Sequence, residues 1–548
     1  MVQAQQSEIA DNPAPRSAVM AAPVGGAMRR RYTVPAVLGL ILAVGLIARI
    51  YQLGDRPLWY DEAWSWRLIG FPFNEMITRI GRDSHPPLYY LLLREWAAAF
   101  GTSAVALRSL SVVFGLLTVV GMYLFTAEAF GHRRTPADER KGTDGLALFV
   151  AALVALSAFQ IRFSWEVRMY ALGAALAAFS SWALFRALRR DRLVHWLLYA
   201  VLALSFVYTH YYAFFTLAAQ GVFAAGYLWT QSKGRIAAVR ASKGIRYAAL
   251  AAVVAAAGYL PWAPVFLRQK AQVEADFWVP PLSKWDVPLA CYQMFCMPEN
   301  PQIELPYTLV VAIPCGLGVV ALLWRASPGH SYVFLAATMP FACSVVLSQL
   351  GTRVFVMRYH IFAHLFLLAA LGVLVWRIPF RLERILVAGL VLLNLAWAHA
   401  RFCETLAIHH RQGAKGAAEY IAAHRAPREL VVICSPVFFY PMLFHAPENR
   451  GGWKLYTGGK KLTHYNGEPI LIPDDLIGVE AINASSAGRM WLVQVDGAWA
   501  NDIVPPLPRW ALRSEQRFRE VFDFQGTVIV QEYERIPQTR EQSGRQAP

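Results

Sequence analysis

The sequence predicts a polytopic α-helical membrane protein that carries a small α/β domain at its C-terminal end. Of its 548 residues, 56% are hydrophobic and only 16% are charged. The mean hydropathy is +0.35, and a water-soluble chain of this length would carry more charge. Apolar runs of about 20 residues, each long enough to cross a bilayer, recur between residues 34 and 402. Residues 411–548 are more polar, and this change predicts a separate domain.

The positive charge of the chain lies mainly in the loops between the apolar runs. Lys and Arg number 52 against 36 Asp and Glu, which gives a net charge of +16. The basic residues cluster in short loops, as is typical of the cytoplasmic side of a membrane. We therefore expect membrane lipids, and no nucleic acid, as partners. The sequence contains no Gly-rich phosphate-binding loop and no Cys/His spacing of the zinc type.

About eleven spans bring every basic loop to one side of the membrane. Residues 1–32 are a predicted disordered cytoplasmic tail, because they are rich in Ala, Pro, Gln and Ser and carry Arg29–Arg31 just before the first span. The alternating loops then predict a transmembrane domain at 33–410 in the cytoplasmic (inner) membrane, and an extracytoplasmic domain at 411–548. The basic loops on the cytoplasmic side are 132–142, 185–192, 232–246 and 376–384.

The apolar runs also give the expected positions of individual helices. Residues 85–101 carry charge in their middle and predict a helix that lies in the interface. The spans whose two ends are predicted are 34–53, 104–127, 145–161, 194–209, 307–324, 331–350 and 385–402.

The C-terminal domain shows both helical and strand patterns. Residues 413–425 have the apolar spacing of a helix, and a second helix is predicted near 508–521. Apolar runs predict strands at 429–435, 489–496 and 527–533. The sequence of this domain has no nucleophile motif or metal-ligand pattern, so we expect it to act as a lid or an acceptor-binding module.

The first outside loop, residues 54–103, concentrates acids among aromatic residues. Asp61 and Glu62 lie within WYDEAWSW, and Asp83 and His85 lie within DSHPPLYY. Neighbouring carboxylates among aromatic rings favour a site for acid–base chemistry at the membrane surface. The structural alternative is that the two acids cap a short helix and the aromatic residues form an interfacial belt.

Further polar residues fall on the same side of the membrane as this loop. Charged groups at span ends are costly unless they are paired, hydrated or functional, and scattered stabilising pairs would not favour one side. We therefore expect these residues to converge on a cavity that opens to the outer leaflet. They are Asp61, Glu62, Asp83, His85, Glu166, Arg168, Tyr170, His210, Arg353 and Arg358.

Two of the six cysteines, Cys291 and Cys296, lie in a long outside loop. A disulfide between them would form in an oxidising compartment. The alternative is a pair of unlinked, apolar thiols at the interface.

Four segments together resemble the GT-C superfamily of membrane glycosyltransferases. The similarity is to the bacterial branch related to protein O-mannosyltransferases and to the lipid A aminoarabinose and galacturonic acid transferases. It covers residues 33–403 in order and topology. The chain has no tryptophan-tryptophan-aspartate signature, which argues against the catalytic subunit of an oligosaccharyltransferase. The segments are WYDEAWSW, DSHPPLYYLLLREW, RFSWEVRMYAL and RVFVMRYH.

This resemblance implies transfer of a sugar from a polyprenyl-phosphate donor to a lipid, glycan or protein acceptor on the outer face of the cytoplasmic membrane. Asp61 matches the first-loop aspartate that serves as general base in this superfamily. Glu62, beside it, is the second candidate catalytic residue. The base would take a proton from the acceptor hydroxyl while that hydroxyl attacks the anomeric carbon.

The lipid-phosphate leaving group needs cations rather than a strong acid. Arg168, Arg358 and His85 are the candidates, with Arg353 behind them, because a guanidinium group donates two hydrogen bonds to phosphate at once. The other expected substrate-binding residues are Asp83, Glu166 and Tyr170.

Several of these residues also have a structural interpretation. Arg168 would pair with Glu166 as a local bridge, Asp83 would cap the helix that follows, and His210 would be a satisfied interface histidine. The resemblance requires no cofactor. Some members of the superfamily hold a divalent cation, and Asp61, Glu62 and Glu166 could bind Mg²⁺ or Mn²⁺ in the same way.

The alternative class of function is a polytopic transporter or a flippase for lipid-linked sugars. Such proteins also hold charged residues in a cavity, but near the bilayer midplane and between repeated halves. The sequence shows no internal repeat, and its acids lie in loops at one surface. A non-catalytic scaffold would not gather acids and arginines on one side. The pattern therefore favours an enzyme, while the sugar and the acceptor stay open.

The predicted topology has a direct test. A reporter enzyme that works only outside the cytoplasm should be active when it is fused after Arg401, because the eleventh span would carry it across the membrane. The same reporter fused after Arg192 should be inactive. Cytoplasmic location of the Arg401 fusion would overturn the topology.

Overall fold

The computed structural model describes residues 24–131, 138–296, 312–324, 327–446, 452–497 and 503–537. A helical part is followed by a small sheet domain, which confirms the predicted fold class. The helices of the first part are α1 Val24–Ile50, α2 Tyr60–Ile69, α3 Phe73–Ile80, α4 Leu88–Phe100, α5 Ala104–Phe130, α6 Asp138–Leu156, α7 Ala158–Ser164, α8 Tyr170–Arg190, α9 Leu193–Val207, α10 Ala213–Gln231, α11 Ile236–Ala241, α12 Lys243–Tyr259, α13 Ala263–Ala275, α14 Asp286–Cys296, α15 Ala312–Ala321, α16 Pro328–Gln349, α17 Ile361–Trp376 and α18 Arg381–Thr405.

The helical part crosses the membrane several times. Within the described ranges, six helices are long and apolar enough to span a bilayer: α1, α5, α8, α16, α17 and α18. The number rises to eight if the bent pairs α6–α7, at 60°, and α12–α13, at 70°, each form one span. Helices α9, α10 and α15 lie at the remaining predicted positions. A helix or a bent pair thus lies at each of the eleven predicted positions.

Small residues allow the central helices to approach one another closely. Helices α8 and α17 are buried on most of their surface. A Cβ atom placed on Gly121 of α5 would lie 2.9 Å from the Cβ of Ala178 in α8. One placed on Gly173 of α8 would lie 2.5 Å from the ring of Phe362 in α17. Because lipid provides no hydrophobic force between helices, such close backbone packing is a main source of association.

The C-terminal domain is a five-stranded sheet with helices, and we propose that it begins near residue 411. The strand order is β2-β1-β3-β5-β4, with parallel pairing on the β1 side and antiparallel pairing around β5. The predicted helix at 413–425 and the three predicted strands are confirmed. The elements are α19 Gly413–His424, β1 Leu430–Ile433, α20 Pro436–His445, β2 Trp453–Leu455, α21 Val479–Ala484, β3 Arg489–Asp496, β4 Trp510–Arg519 and β5 Thr527–Arg535.

The helix predicted near 508–521 is wrong, because this segment forms strand β4. Strand β4 pairs with β5 from Trp510, opposite Arg535, to Arg519, opposite Thr527. It is an edge strand with most side chains exposed, and edge strands carry charged residues that discourage pairing with other chains. Those Arg, Glu and Gln residues also favour helices, which explains the error.

Of the two alternatives for Cys291 and Cys296, the disulfide is excluded, because Cys291 is a free thiol. Both residues lie in α14. Five residues of helix rise by about 7.5 Å along the axis, which already exceeds the ~7 Å limit between the Cα atoms of a disulfide. The alternative of unlinked thiols fits the structure.

The C-terminal domain rests on the first outside loop. Helix α20 packs against α2, where the rings of Trp66 and Phe444 meet edge-on with centroids 5.2 Å apart. The Leu58 N–H donates to His445 Nε2 at 3.1 Å. These contacts fix the domain above the start of α2.

A buried ion pair holds the first outside loop in place. Glu62 in α2 accepts from Arg108 Nε at 2.7 Å and from Arg108 Nη2 at 2.6 Å. The other Arg108 N–H groups donate to the carbonyls of Leu53, Arg56 and Pro57 at 2.8–3.0 Å, so all five donors of this guanidinium are satisfied. Both side chains are 3% exposed. The pair therefore fixes the chain before α2 against helix α5.

Removal of Arg108 should destabilise the protein strongly. In Arg108→Leu, the Glu62 carboxylate stays buried without its partner, which costs about 3–5 kcal/mol. We expect a clear fall in the melting temperature in detergent. The matched control is Lys270→Ala, which breaks an exposed pair with Glu274 worth less than about 1 kcal/mol. Equal effects of the two variants would refute a dominant role for the buried pair.

Candidate functional site

A polar cavity of about 410 Å³ lies where α2 meets the loops before α4, α8 and α17. It brings together five of the predicted site residues: Asp61, Asp83, His85, Arg168 and Arg358. The remaining lining residues are Tyr60, Trp64, Ser84, Phe277, Trp278, Tyr359, His464 and Tyr465. The last two belong to the C-terminal domain, so both parts of the chain build the cavity. We call it the central cavity.

Asp61 contributes a carboxylate with an unused acceptor. It is the second residue of α2, where the helix dipole favours negative charge. Its Oδ2 atom lies 3.7 Å from Arg358 Nη2. This oxygen is buried and accepts no hydrogen bond from the described residues, although buried polar groups are generally paired. It can therefore accept a proton or hydrogen bond from a bound molecule.

Asp83, His85 and Arg168 form a connected chain on one wall of the central cavity. His85 Nδ1 lies 3.1 Å from Asp83 Oδ2, and Arg168 Nη2 lies 3.4 Å from His85 Nε2. The Tyr90 hydroxyl accepts from Arg168 Nη1 at 3.0 Å. The N-cap position of helix α4 is occupied by Pro87. Asp83 lies four residues before it, so the alternative in which Asp83 caps this helix is wrong. Asp83 instead orients His85, which in turn contacts Arg168.

Burial and the neighbouring charges shift the pKa values of Asp83 and His85. Burial raises the pKa of Asp83, but the hydrogen bond from His85 and the charge of Arg168 outweigh it, so the pKa falls below its ordinary value. Burial and the charge of Arg168 together lower the pKa of His85, against the opposing effect of Asp83. This lowered pKa argues against the cationic role that the sequence predicted for His85.

Arg358 lies on the other side of Asp61, between aromatic rings. Its guanidinium carbon lies 5.7 Å from the ring centroid of Trp59, 5.3 Å from that of Trp278 and 5.7 Å from that of Tyr359. Such contacts hold a guanidinium group without using its donors. The Nε atoms of Arg168 and Arg358 are both buried, and neither bonds to a described residue. The two arginines can therefore donate to an anion.

The other predicted site residues lie around the central cavity. The Glu62 carboxylate binds Arg108 and, through Oε1, the Val167 N–H at 3.1 Å. Tyr170 opens α8, with its ring centroid 6.3 Å from that of Tyr359. His210 packs on the same Tyr359 ring at 4.8 Å.

Glu166 does not form the predicted bridge with Arg168. Its Oε1 instead accepts from Arg162 Nη2 at 3.2 Å. Burial outweighs the attraction of Arg162 and raises the pKa of Glu166 to about 7. Glu62 and Glu166 line a separate cavity with Arg56 and Arg162, beneath the C-terminal domain.

The three acids considered for a divalent cation do not fit one. In the described part of the chain, no group of three or more His, Cys, Asp or Glu residues is arranged to hold a metal ion. Consecutive helix residues differ by about 100° in direction. The Glu62 side chain therefore points to Arg108, while Asp61 faces the central cavity. Mg²⁺ or Mn²⁺ binding by Asp61, Glu62 and Glu166 is not compatible with this arrangement.

An apolar groove of about 900 Å³ adjoins the central cavity. The two share Ser84, His85, Phe277 and Tyr359. Arg353 lies along this groove rather than in the central cavity. Most of the groove surface is aromatic or aliphatic, from Tyr211, Tyr212, Phe214, Phe215, Phe266, Val273, Leu347 and Val354.

Sequence reasoning missed the residues that reach the central cavity from distant parts of the chain. Trp278 lies in the long outside loop, where the segment DFWVPP was an available aromatic signal. His464 and Tyr465 come from the C-terminal domain, and the sequence carries no local pattern that links them to Asp61.

The fold is similar to that of ArnT from Cupriavidus metallidurans. With the apo structure the TM-score is 0.57 and the identity 13%, over 91% of this chain and 98% of that chain. With the structure bound to undecaprenyl phosphate they are 0.56 and 12%, over 92% and 99%. The S. cerevisiae Pmt1-Pmt2 O-mannosyltransferase complex, bound to the sugar donor, has a TM-score of 0.34 and 18% identity, over 43% of this chain and 34% of that chain.

Neither a scan of protein-family models nor a search of curated proteins gave a match. The similarity to ArnT, which covers nearly the whole of both chains, shows that the two proteins share a fold. Together with the apolar helices, it defines a multi-pass membrane protein.

The buried Glu166 should make stability depend on pH. Its pKa is about 7 in the folded protein and 4.5 ordinarily, so the folded state holds the proton more tightly. Its contribution to stability is present below pH ~4.5 and is lost as the pH rises through about 7. Glu166→Gln should remove about 3 kcal/mol of this pH dependence, at ~1.4 kcal/mol per pKa unit.

Melting temperatures between pH 5 and pH 8 would measure this effect. Glu419→Gln, on the exposed face of α19, is the matched control and should keep the wild-type slope. A wild-type slope in Glu166→Gln would contradict the assignment.

Proposed function

We propose that the protein is a glycosyltransferase that moves a sugar from a polyprenyl-phosphate donor to an acceptor hydroxyl at the outer face of the cytoplasmic membrane. The observation that carries this proposal is the buried Asp61 Oδ2, which has no hydrogen bond from the described residues and shares a cavity with Arg168 and Arg358. The similarity in fold to ArnT, one structure of which holds undecaprenyl phosphate, supports a lipid-phosphate donor.

The proposed reaction is a single displacement at the anomeric carbon. The acceptor oxygen forms a bond to this carbon, and the bond between the carbon and the phosphate oxygen breaks. Asp61 Oδ2 takes the proton of the acceptor hydroxyl. The electron pair of the broken bond leaves with the polyprenyl phosphate, whose charge Arg168 and Arg358 stabilise. Bidentate guanidinium–phosphate contacts suit this role.

The apolar groove is the proposed site for the prenyl chain. It meets the central cavity at His85 and Tyr359. A lipid in this groove would therefore present its phosphate beside Arg168, which contacts His85. Arg353 lies along the groove, where it would meet the lipid rather than the reacting carbon.

The remaining predicted residues act through others in this proposal. Asp83 and His85 are positioning residues for Arg168. Glu62 is a positioning residue as well, because its oxygens bind Arg108 and the Val167 N–H. Arg168 follows Val167 directly in the chain, so the same contact that anchors α2 also places Arg168.

Asp61→Asn should abolish most transfer while leaving donor binding intact. The amide keeps the size of the side chain but cannot take the proton, and loss of a general base slows a reaction by ~100-fold or more. Transfer of radiolabelled sugar from a panel of polyprenyl-phosphate sugars to a membrane extract would measure it.

Asp55→Asn, which changes an exposed acid in the same loop, is the matched control and should transfer normally. Transfer by Asp61→Asn within about threefold of wild type would exclude Asp61 as the base.

Arg168→Lys and Arg358→Lys should each weaken donor binding by about tenfold, because lysine keeps the charge but loses the paired donors, and a hydrogen bond to a charged group is worth ~1.5–3 kcal/mol. Equilibrium binding of undecaprenyl phosphate to the purified protein would measure this. Arg268→Lys, exposed on α13, serves as the control. Unchanged affinity in both variants would show that the phosphate binds elsewhere.

A further inference from the structure

A second cavity, of about 810 Å³, adjoins Asp61 on the side of the C-terminal domain. We propose that this cavity binds an uncharged saccharide, so that the acceptor is a neutral glycan; this inference rests on the glycosyltransferase function proposed above. We call it the acceptor cavity.

The acceptor cavity is continuous with the central cavity at the reacting groups. The two share Tyr60, Asp61, Trp278, Arg358 and Tyr465. The Tyr60 hydroxyl donates to the Tyr465 carbonyl at 3.0 Å, which ties α2 to the C-terminal domain at this boundary. A hydroxyl group of a molecule in the acceptor cavity can therefore reach Asp61 Oδ2, which accepts no hydrogen bond from the described residues, while a donor occupies the opposite side.

Aromatic rings form much of the wall of the acceptor cavity. Trp59 and Phe438 line it, and Trp278 and Phe524 are 36% and 46% exposed beside it. The C–H faces of a pyranose ring are apolar and flat, so they pack well against such rings, whereas the hydroxyl groups project from its rim. A binding site of this kind usually also contains a few polar groups that fix the orientation of the ligand.

Those polar groups are present, and one of them has no partner among the described residues. Gln525 is 6% exposed and lines the cavity together with Asn466. Among the described residues, the buried Trp59 Nε1 has no hydrogen-bond partner. A carboxamide both donates and accepts, which matches a sugar hydroxyl that does the same. These three groups would orient a saccharide above the rings.

The charge of the acceptor cavity argues against a phosphorylated acceptor. Asp61 and Arg358 are the only ionisable acid and base among its described lining residues, and they lie 3.7 Å apart. Both have roles in the proposed reaction, so the described lining residues of this cavity offer no further cation to a second phosphate. A charge buried without a partner is strongly unfavourable. The cavity therefore selects a neutral saccharide over its phosphate ester.

A matched pair of acceptors would test this. The full-length protein in lipid nanodiscs receives radiolabelled polyprenyl-phosphate sugars and a panel of uncharged alkyl glycosides, each alongside its phosphate monoester. A bisphosphorylated lipid A and a Ser/Thr-containing peptide complete the set. We expect label in the uncharged glycosides, with kcat/KM at least ~10-fold above that of the matching phosphate ester, as for the loss of ~1.4 kcal/mol.

Two variants test whether the acceptor cavity is the site that binds the uncharged glycoside. Phe524→Ala and Gln525→Ala should each raise KM for the glycoside by about tenfold, a loss of ~1.4 kcal/mol of binding, while undecaprenyl phosphate binds as in wild type. The controls remove an aromatic ring and a carboxamide elsewhere: Trp285→Ala, at a ring that is 67% exposed, and Gln516→Ala on β4. Both controls should behave as wild type.

The outcomes separate the acceptor class from the function on which it rests. Transfer to phosphate esters, lipid A or the peptide in preference to uncharged glycosides would overturn the neutral acceptor and leave the glycosyltransferase intact. An unchanged KM in both cavity variants would also overturn the neutral acceptor. Donor binding without transfer to any uncharged glycoside would overturn it as well. Failure to bind undecaprenyl phosphate at all would overturn both proposals.

Discussion

Glu62 and Arg108 form the buried ion pair on which the geometry of the site depends. Arg108 donates all five of its N–H groups, two to Glu62 and three to carbonyls of the chain before α2. Glu62 also accepts from the Val167 N–H. One ion pair therefore fixes both the start of α2, where Asp61 lies, and the turn that carries Arg168. Asp61 and Glu62 are neighbours in the sequence but have different environments. Helix α2 directs Glu62 to the buried Arg108 and Asp61 to the central cavity.

The apolar groove, the central cavity and the acceptor cavity adjoin one another next to this ion pair. An apolar groove meets the central cavity, which holds Arg168, Arg358 and the Asp61 carboxylate. The central cavity in turn meets the acceptor cavity, which is lined by aromatic rings and carboxamides. Each boundary is formed by shared residues: His85 and Tyr359 at the first, and Asp61 and Arg358 at the second. The order apolar, charged, aromatic matches the order of parts in a lipid, a phosphate-linked sugar and a saccharide acceptor. The C-terminal domain closes the last of these spaces.

The sequence predicted the helix positions well because the bilayer imposes length and loop charge. The predicted topology placed Asp61, Asp83, His85, Arg168 and Arg358 together, because all five lie near span ends on one side of the membrane. The structure has them in one cavity. Sequence reasoning failed where partners are distant along the chain: Arg108 lies within a predicted span, and a charge there was an available signal for a buried partner. The contacts of Tyr465 with the first loop, and the edge-strand pairing of β4, depend on tertiary packing that no local pattern records.

The central claim is that Arg168 and Arg358 hold the donor phosphate on either side of Asp61. Cryo-electron microscopy of the protein with undecaprenyl phosphate in nanodiscs tests it most directly. The account predicts phosphate density within hydrogen-bond distance, about 3 Å, of both guanidinium groups, with the prenyl chain in the apolar groove. Phosphate density in the separate cavity beside Arg56 and Arg162, with both site arginines free, would contradict it.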